Sequence, residues 1–146
     1  MAEASVPVRS APKTPADSRV TLAHIMSEHD TNLYGTIHGG VVMKLIDDAA
    51  AAEARRHADG PAVTVSVDRM SFPAPVRAGD LLRLHAELEK AGRTSMTAVV
   101  RVTAERWNAS GPLTDVATAR LTFVAVDAEG RPRPVPPLES ASPAAA

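Results

Sequence analysis

Residues 30–48 read DTNLYGTIHGGVVMKLIDD. They place a carboxamide (Asn32), an imidazole (His38), two consecutive glycines (Gly39, Gly40) and two carboxylates (Asp47, Asp48) around the start of one apolar segment. A helix starting at the glycines presents free N–H groups and a positive dipole end, which together can hold an oxyanion. Without side chains, Gly39 and Gly40 would let a reacting carbonyl approach; alternatively they only turn the chain into the helix. At about 100° per residue the two aspartates point apart. Asp48 faces Lys44 at i−4, which predicts a solvated salt bridge. Asp47 lies near the side of Gly40 and Met43, with Ala50, Ala51 and Ala54 beyond it. A carboxylate among small apolar groups is a candidate general base or nucleophile, because desolvation raises its basicity. The alternative is an exposed helix acid. Asn32 can hold a water or a carbonyl by its amide, or serve with Asp30 and Gly35 as a loop former. His38 shapes a pocket, or caps and packs.

These residues need a helix and something to lean it on. Residues 38–57 contain no proline, and Val41, Val42, Leu45, Ile46, Ala49 and Ala52 recur at helical spacing, predicting a helix of roughly 30 Å. Residues 19–26 alternate as a strand. After Asp59, Gly60 and Pro61, four alternating segments follow: AVTVSVDRMSF, DLLRLHAELEKA, TSMTAVVRVTAERW and TDVATARLTFVAVD. Turn signals divide them, so consecutive strands imply an antiparallel sheet whose apolar face the one helix covers. The class is α+β. A single helix leaves part of such a sheet for a partner subunit.

Eight of the 12 prolines lie in residues 1–16 and 131–146, so residues 1–16 and 135–146 are expected as disordered tails around one domain, residues 17–134. Net charge −1 with scattered Lys and Arg argues against a nucleic-acid partner. No apolar run suits a membrane span and no secretory leader is evident, so a cytoplasmic protein is expected. Zero cysteines exclude a Cys nucleophile and disulfides. The histidines lack metal-ligand spacing, and no G-x-S-x-G elbow occurs.

Four motifs in order resemble the hotdog-fold acyl-CoA thioesterase (acyl-CoA hydrolase) family. They are Asn32 followed by GTIHGG (residues 35–40), MKLID with its acid seven residues after Gly40, FPAPVRAGD (residues 72–80), and KAGRTS (residues 90–95). The resemblance covers about residues 20–127. His38 stands where the hydrolase branch usually has Phe, resembling the His-Gly-Gly of phenylacetyl-CoA thioesterases, and the usual aromatic before the catalytic Asp region is missing. Both departures bear on acyl-chain preference.

The resemblance implies a hotdog fold, one long central helix wrapped by a curved antiparallel sheet of about five to six strands. It implies hydrolysis of an acyl-CoA to free acid and CoA. Asp47 would act as general base or nucleophile, Asn32 and Gly40 would be catalytic, and His38, Gly39, Arg93, Thr94 and Ser95 would bind substrate. No metal or other cofactor is expected, the CoA belonging to the substrate. The family is similar in forming dimers, assembled further into hexamers (trimers of dimers), with Asn and Asp supplied by different subunits. The alternative reading is a non-catalytic acyl-CoA-binding or regulatory hotdog protein. A DNA-binding helical segment would mark that class, and this N-terminus is short and Pro-rich. A hydratase or dehydratase would pair its Asp with a His, and none lies at i±3 or i±4.

Overall fold

The structure, a computed structural model, describes residues 11–108 and 110–140. A short helix α1 (Pro15–Ser18) leads into β1 (Val20–Ile25), a loop, the long helix α2 (Gly39–Ala58), and then β2 (Ala62–Ser71), β3 (Leu81–Ala91), β4 (Ser95–Glu105) and β5 (Thr114–Ala125). All pairings are antiparallel, and the sheet order is β1-β3-β4-β5-β2. This is the α+β hotdog arrangement: five strands curl around α2, which touches every one of them.

The helix can sit that close because its inward stripe is small. Ala49, Ala50 and Ala54 are fully buried beside Ile46, against Leu82, Leu84, Val100, Val102, Leu121 and Phe123. At the C-terminal end Asp59 takes a left-handed φ of 55°, and the Arg133 guanidinium donates to the carbonyls of Ala58, Pro61 and Val126. The bond to Ala58 satisfies a carbonyl that the helix end would otherwise leave open, and the other two tie that end to the segment after β5.

Two expectations change. Chain order suggests neighbouring strands throughout, yet β2 pairs with β5 and residues 72–80 carry the chain across to β3. That leaves β2 as a sheet edge, with Val63, Val65 and Val67 about half exposed. Irregularities at residues 64–66 and 67–69 break its alternation, so Thr64, Val67 and Met70 pair with the inward-facing Phe123, Leu121 and Ala119.

The ordered body also extends beyond residues 17–134. Lys13 bridges to Leu138 and pairs with Asp59 at 2.7 Å, Val135 is buried, and His57 Nε2 donates to the Pro136 carbonyl at 2.7 Å. Proline-rich composition does not prevent this, because an extended strap needs few donors of its own and its proline carbonyls still accept hydrogen bonds. The rest of both expected tails, residues 1–10 and 141–146, lies outside the described residues.

Candidate active site

Residues 31–38 form a tight loop. Gly35 takes φ +80°, Ile37 donates its amide to the Val76 carbonyl, and Thr36 bridges to Arg77. FPAPVRAGD is therefore the support of this loop. Its own Asp80 is buried, accepts the Arg77 amide at 2.8 Å and is paired with Arg106.

Asn32 is occupied inside that loop. Its Oδ1 accepts from the amides of Tyr34 (2.8 Å) and Thr36 (3.2 Å), and its Nδ2 donates to Thr36 Oγ1 at 2.9 Å. His38 is the N-cap residue of α2, is exposed, and makes no side-chain capping bond. It neither caps nor packs.

Gly39 and Gly40 follow. Neither has a positive φ, and a Cβ added to either would meet nothing within 4 Å. Among the described residues their amides make no hydrogen bond. They are thus open donors at a helix N-terminus, with the glycine identity required by nothing in the chain's own packing.

Asp47 and Asp48 divide as the helical period predicts. Asp48 Oδ2 accepts from Lys44 Nζ at 3.1 Å on the exposed side. Asp47 is half-buried and faces β2, where Thr64 Oγ1 donates to its Oδ1 at 2.7 Å. The dry apolar environment expected for Asp47 is not reached within one chain, because the neighbouring edge strand β2 is open. Thr64 was not singled out in the sequence. Simple alternation along AVTVSVDR does not reveal it, since the irregular stretch of β2 decides which residues face α2.

The candidate residues do not meet in one chain. Gly40 and Asp47 share a side of α2 but stand two turns apart, about 10 Å along the axis. Arg93, Thr94 and Ser95 form the tight β3–β4 turn, where Gly92 donates to the Ser95 carbonyl and the Arg93 carbonyl accepts from Val135. This turn abuts the strap over the far end of α2, away from the glycines.

The Thioesterase superfamily model matches residues 34–106, from the Asn32 loop to the end of β4. The chain belongs to this superfamily, among its acyl-CoA thioester hydrolases. It is 41% identical over 112 residues to an acyl-CoA thioester hydrolase of Zymomonas mobilis, covering 75% of this chain and 72% of that one. Against the mouse cytosolic acyl coenzyme A thioester hydrolase it is 34% identical over 134 residues, 87% of this chain; it spans only 34% of that protein's length. Among solved structures, a hexameric acyl-CoA thioesterase superposes with a TM-score of 0.86 at 36% identity, covering 92% of this chain and 86% of that one. The Staphylococcus aureus acyl-CoA hydrolase, solved with butyryl coenzyme A, coenzyme A and coenzyme A disulfide, gives 0.80 at 32% identity, over 92% of this chain and 79% of that one. That hydrolase has also been solved with single alanine replacements of an asparagine, an aspartate and a threonine. The intervals between those three positions are the intervals between Asn32, Asp47 and Thr64.

Proposed function

We propose that this chain hydrolyses an acyl-CoA thioester to a free acid and CoA, in a site shared between two copies. The observation that carries the reading is the open pair of Gly39 and Gly40 amides at the start of α2. Their glycine identity answers to no contact within the chain, which fits the approach of a ligand. The half-buried Asp47, the staphylococcal intervals and the hydrolase relatives support the same reading.

As general base, Asp47 takes a proton from water while the hydroxide adds to the thioester carbonyl. As nucleophile, it attacks the carbonyl itself and forms an acyl-enzyme anhydride that water then opens. In either case negative charge grows on the carbonyl oxygen, where the helix-start amides stabilise it. Collapse expels the CoA thiolate, which takes up the proton held by Asp47 on the first route and one from the water that opens the anhydride on the second. Asn32 holds the thioester or the water through its free N–H. His38 and Gly39 border the acyl group, and Arg93, Thr94 and Ser95 grip CoA, the guanidinium on phosphate. The reaction needs no cofactor beyond the CoA of the substrate.

The two-turn separation of Gly40 from its own Asp47 prevents one chain from serving one carbonyl with both. A two-fold dimer, with Asn32 and Gly40 of one protomer meeting Asp47 of its partner, removes that difficulty. The exposed β2 edge fits such a contact, and further assembly to a hexamer agrees with the hexameric relative. A cytoplasmic location follows from the same reading.

The test is release of free thiol from short, medium, long and aromatic acyl-CoAs. Asp47→Asn should lower turnover at least about a hundredfold, the usual contribution of such a group. Asp48→Asn should leave it within about twofold, because its exposed pair with Lys44 contributes little. Absence of turnover on every substrate overturns the enzyme reading and favours a binding protein.

A further inference from the structure

We propose that Thr36 is the positioning residue for the Asn32 amide, an inference that rests on the hydrolase reading above. A side-chain amide is free to flip unless its surroundings distinguish oxygen from nitrogen. Here they do. The backbone N–H groups of Tyr34 and Thr36 both aim at Oδ1, at 2.8 and 3.2 Å, and only an acceptor can satisfy two donors. The two ends of the carboxamide are therefore told apart, and Thr36 Oγ1 lies within reach of both, 3.3 Å from Oδ1 and nearer to Nδ2. One of the two Nδ2 protons goes to Thr36 Oγ1 at 2.9 Å, which leaves the other for a ligand.

Thr36 contributes at three points of this arrangement. Its amide and hydroxyl hold the two ends of the Asn32 carboxamide, and its carbonyl accepts the Asn32 amide at 2.7 Å, closing a ring around Gly35. Its β-branched side chain restricts rotation about χ1, so the hydroxyl stays on the Asn32 side. Thr36 is itself anchored by its bridge to Arg77, whose amide is held by the buried Asp80. Two residues further on, the same loop opens α2 at His38, Gly39 and Gly40. A shift of Thr36 therefore moves the Asn32 N–H relative to the helix-start amides. Both would lie against one thioester carbonyl, where a misplacement of an ångström is costly.

The experiment compares Thr36→Val, Thr36→Ser, Asn32→Ala and the double variant Asn32→Ala/Thr36→Val, on the best acyl-CoA of the panel. Thr36→Val keeps shape and branching but removes the hydroxyl. It should lower kcat about tenfold with KM within about twofold, as expected for one lost orienting hydrogen bond. Thr36→Ser restores the hydroxyl and should recover most of kcat. In the Asn32→Ala background, Thr36→Val should cost nothing more, because the group it orients is gone. A loop merely loosened by the substitution would slow both backgrounds alike. Full kcat in Thr36→Val, no rescue by serine, or an undiminished cost in the double variant would each overturn the inference. Inactivity of the parent chain on the whole panel would remove the hydrolase reading, and this inference with it.

Discussion

Gly40 is where the demands of stability and of the proposed function part at the level of one residue. Its φ is not positive and a Cβ there meets no atom within 4 Å, so the isolated chain would be served better by alanine. Gly40→Ala should raise thermal stability, by up to about 1 kcal/mol from helix propensity. The same methyl would stand over the amide proposed to hold the oxyanion, so turnover should fall by about tenfold or more. A Gly40→Ala chain with raised Tm and full turnover would remove the glycine amide from the mechanism. The pairing of Asp48 with Lys44 was legible at this scale, because four-residue spacing on a helix settles it by geometry alone. Thr64 was not, since its orientation toward Asp47 depends on an irregularity of β2 that no residue type announces.

The element that carries most of the proposed site, α2, also buries an acid to which the proposal assigns no role. Glu53 falls in the inward stripe with Ala49, Ala50 and His57, is fully buried, and among the described residues neither of its oxygens completes a hydrogen bond. Helical spacing from Ile46 and Ala49 already places it inward, so its position was readable; its lack of a partner was not. Burial, with a smaller contribution from Glu87 on β3, pushes its carboxyl up to about 8, opposed by the Leu88 backbone and by Arg19. The folded chain then keeps a proton that the unfolded chain releases above its ordinary value of 4.5. The contribution of Glu53 to stability therefore falls as pH rises from about 4.5 toward 8 and levels off beyond, with a slope approaching about 1.4 kcal/mol per pH unit. His57, at i+4, opposes this on the acid side. Desolvation holds its imidazole below 6.5, against the pull of the Pro136 carbonyl, Asp59 and Asp17 and with the help of Lys13. Below 6.5 the unfolded chain takes up a proton that the folded one resists, so stability falls again. Glu53→Gln should flatten the loss between about pH 6.5 and 8, where His57 no longer opposes it, and uncover the His57 acid limb below 6.5. Thermal melts across pH 4–10 read this directly, and parent and variant profiles that run parallel would show that Glu53 does not titrate in that window.

At the scale of the molecule, what composition and period convey is the inventory: one long helix, five strands, and a small-residued helix that a sheet can wrap. They do not convey which strands adjoin. The pairing of β2 with β5 is a choice of long-range contacts, made by residues 72–80 crossing to β3 and invisible to local periodicity. Nor does proline content foresee that Val135 is buried and that the Pro136 carbonyl meets His57 of α2. The largest consequence of the topology is that the candidate site is divided. The Asn32 loop and the helix start lie at one end, Asp47 lies two turns along, and an unprotected β2 edge exposes valines beside it. A two-fold dimer would convert that division into two equal sites, each with Asn32 from one protomer and Asp47 from the other. Mixing two impaired chains tests this. Asn32→Ala and Asp47→Asn chains, each strongly slowed alone but still measurable, are unfolded together and refolded at equal concentration. Random pairing makes half of the dimers mixed, and each mixed dimer carries one site with both residues intact and one with neither. Turnover should return to about a quarter of the parent value under that two-fold arrangement. If each site were built from a single chain, no pairing would restore both residues, and the mixture would stay as slow as its parts.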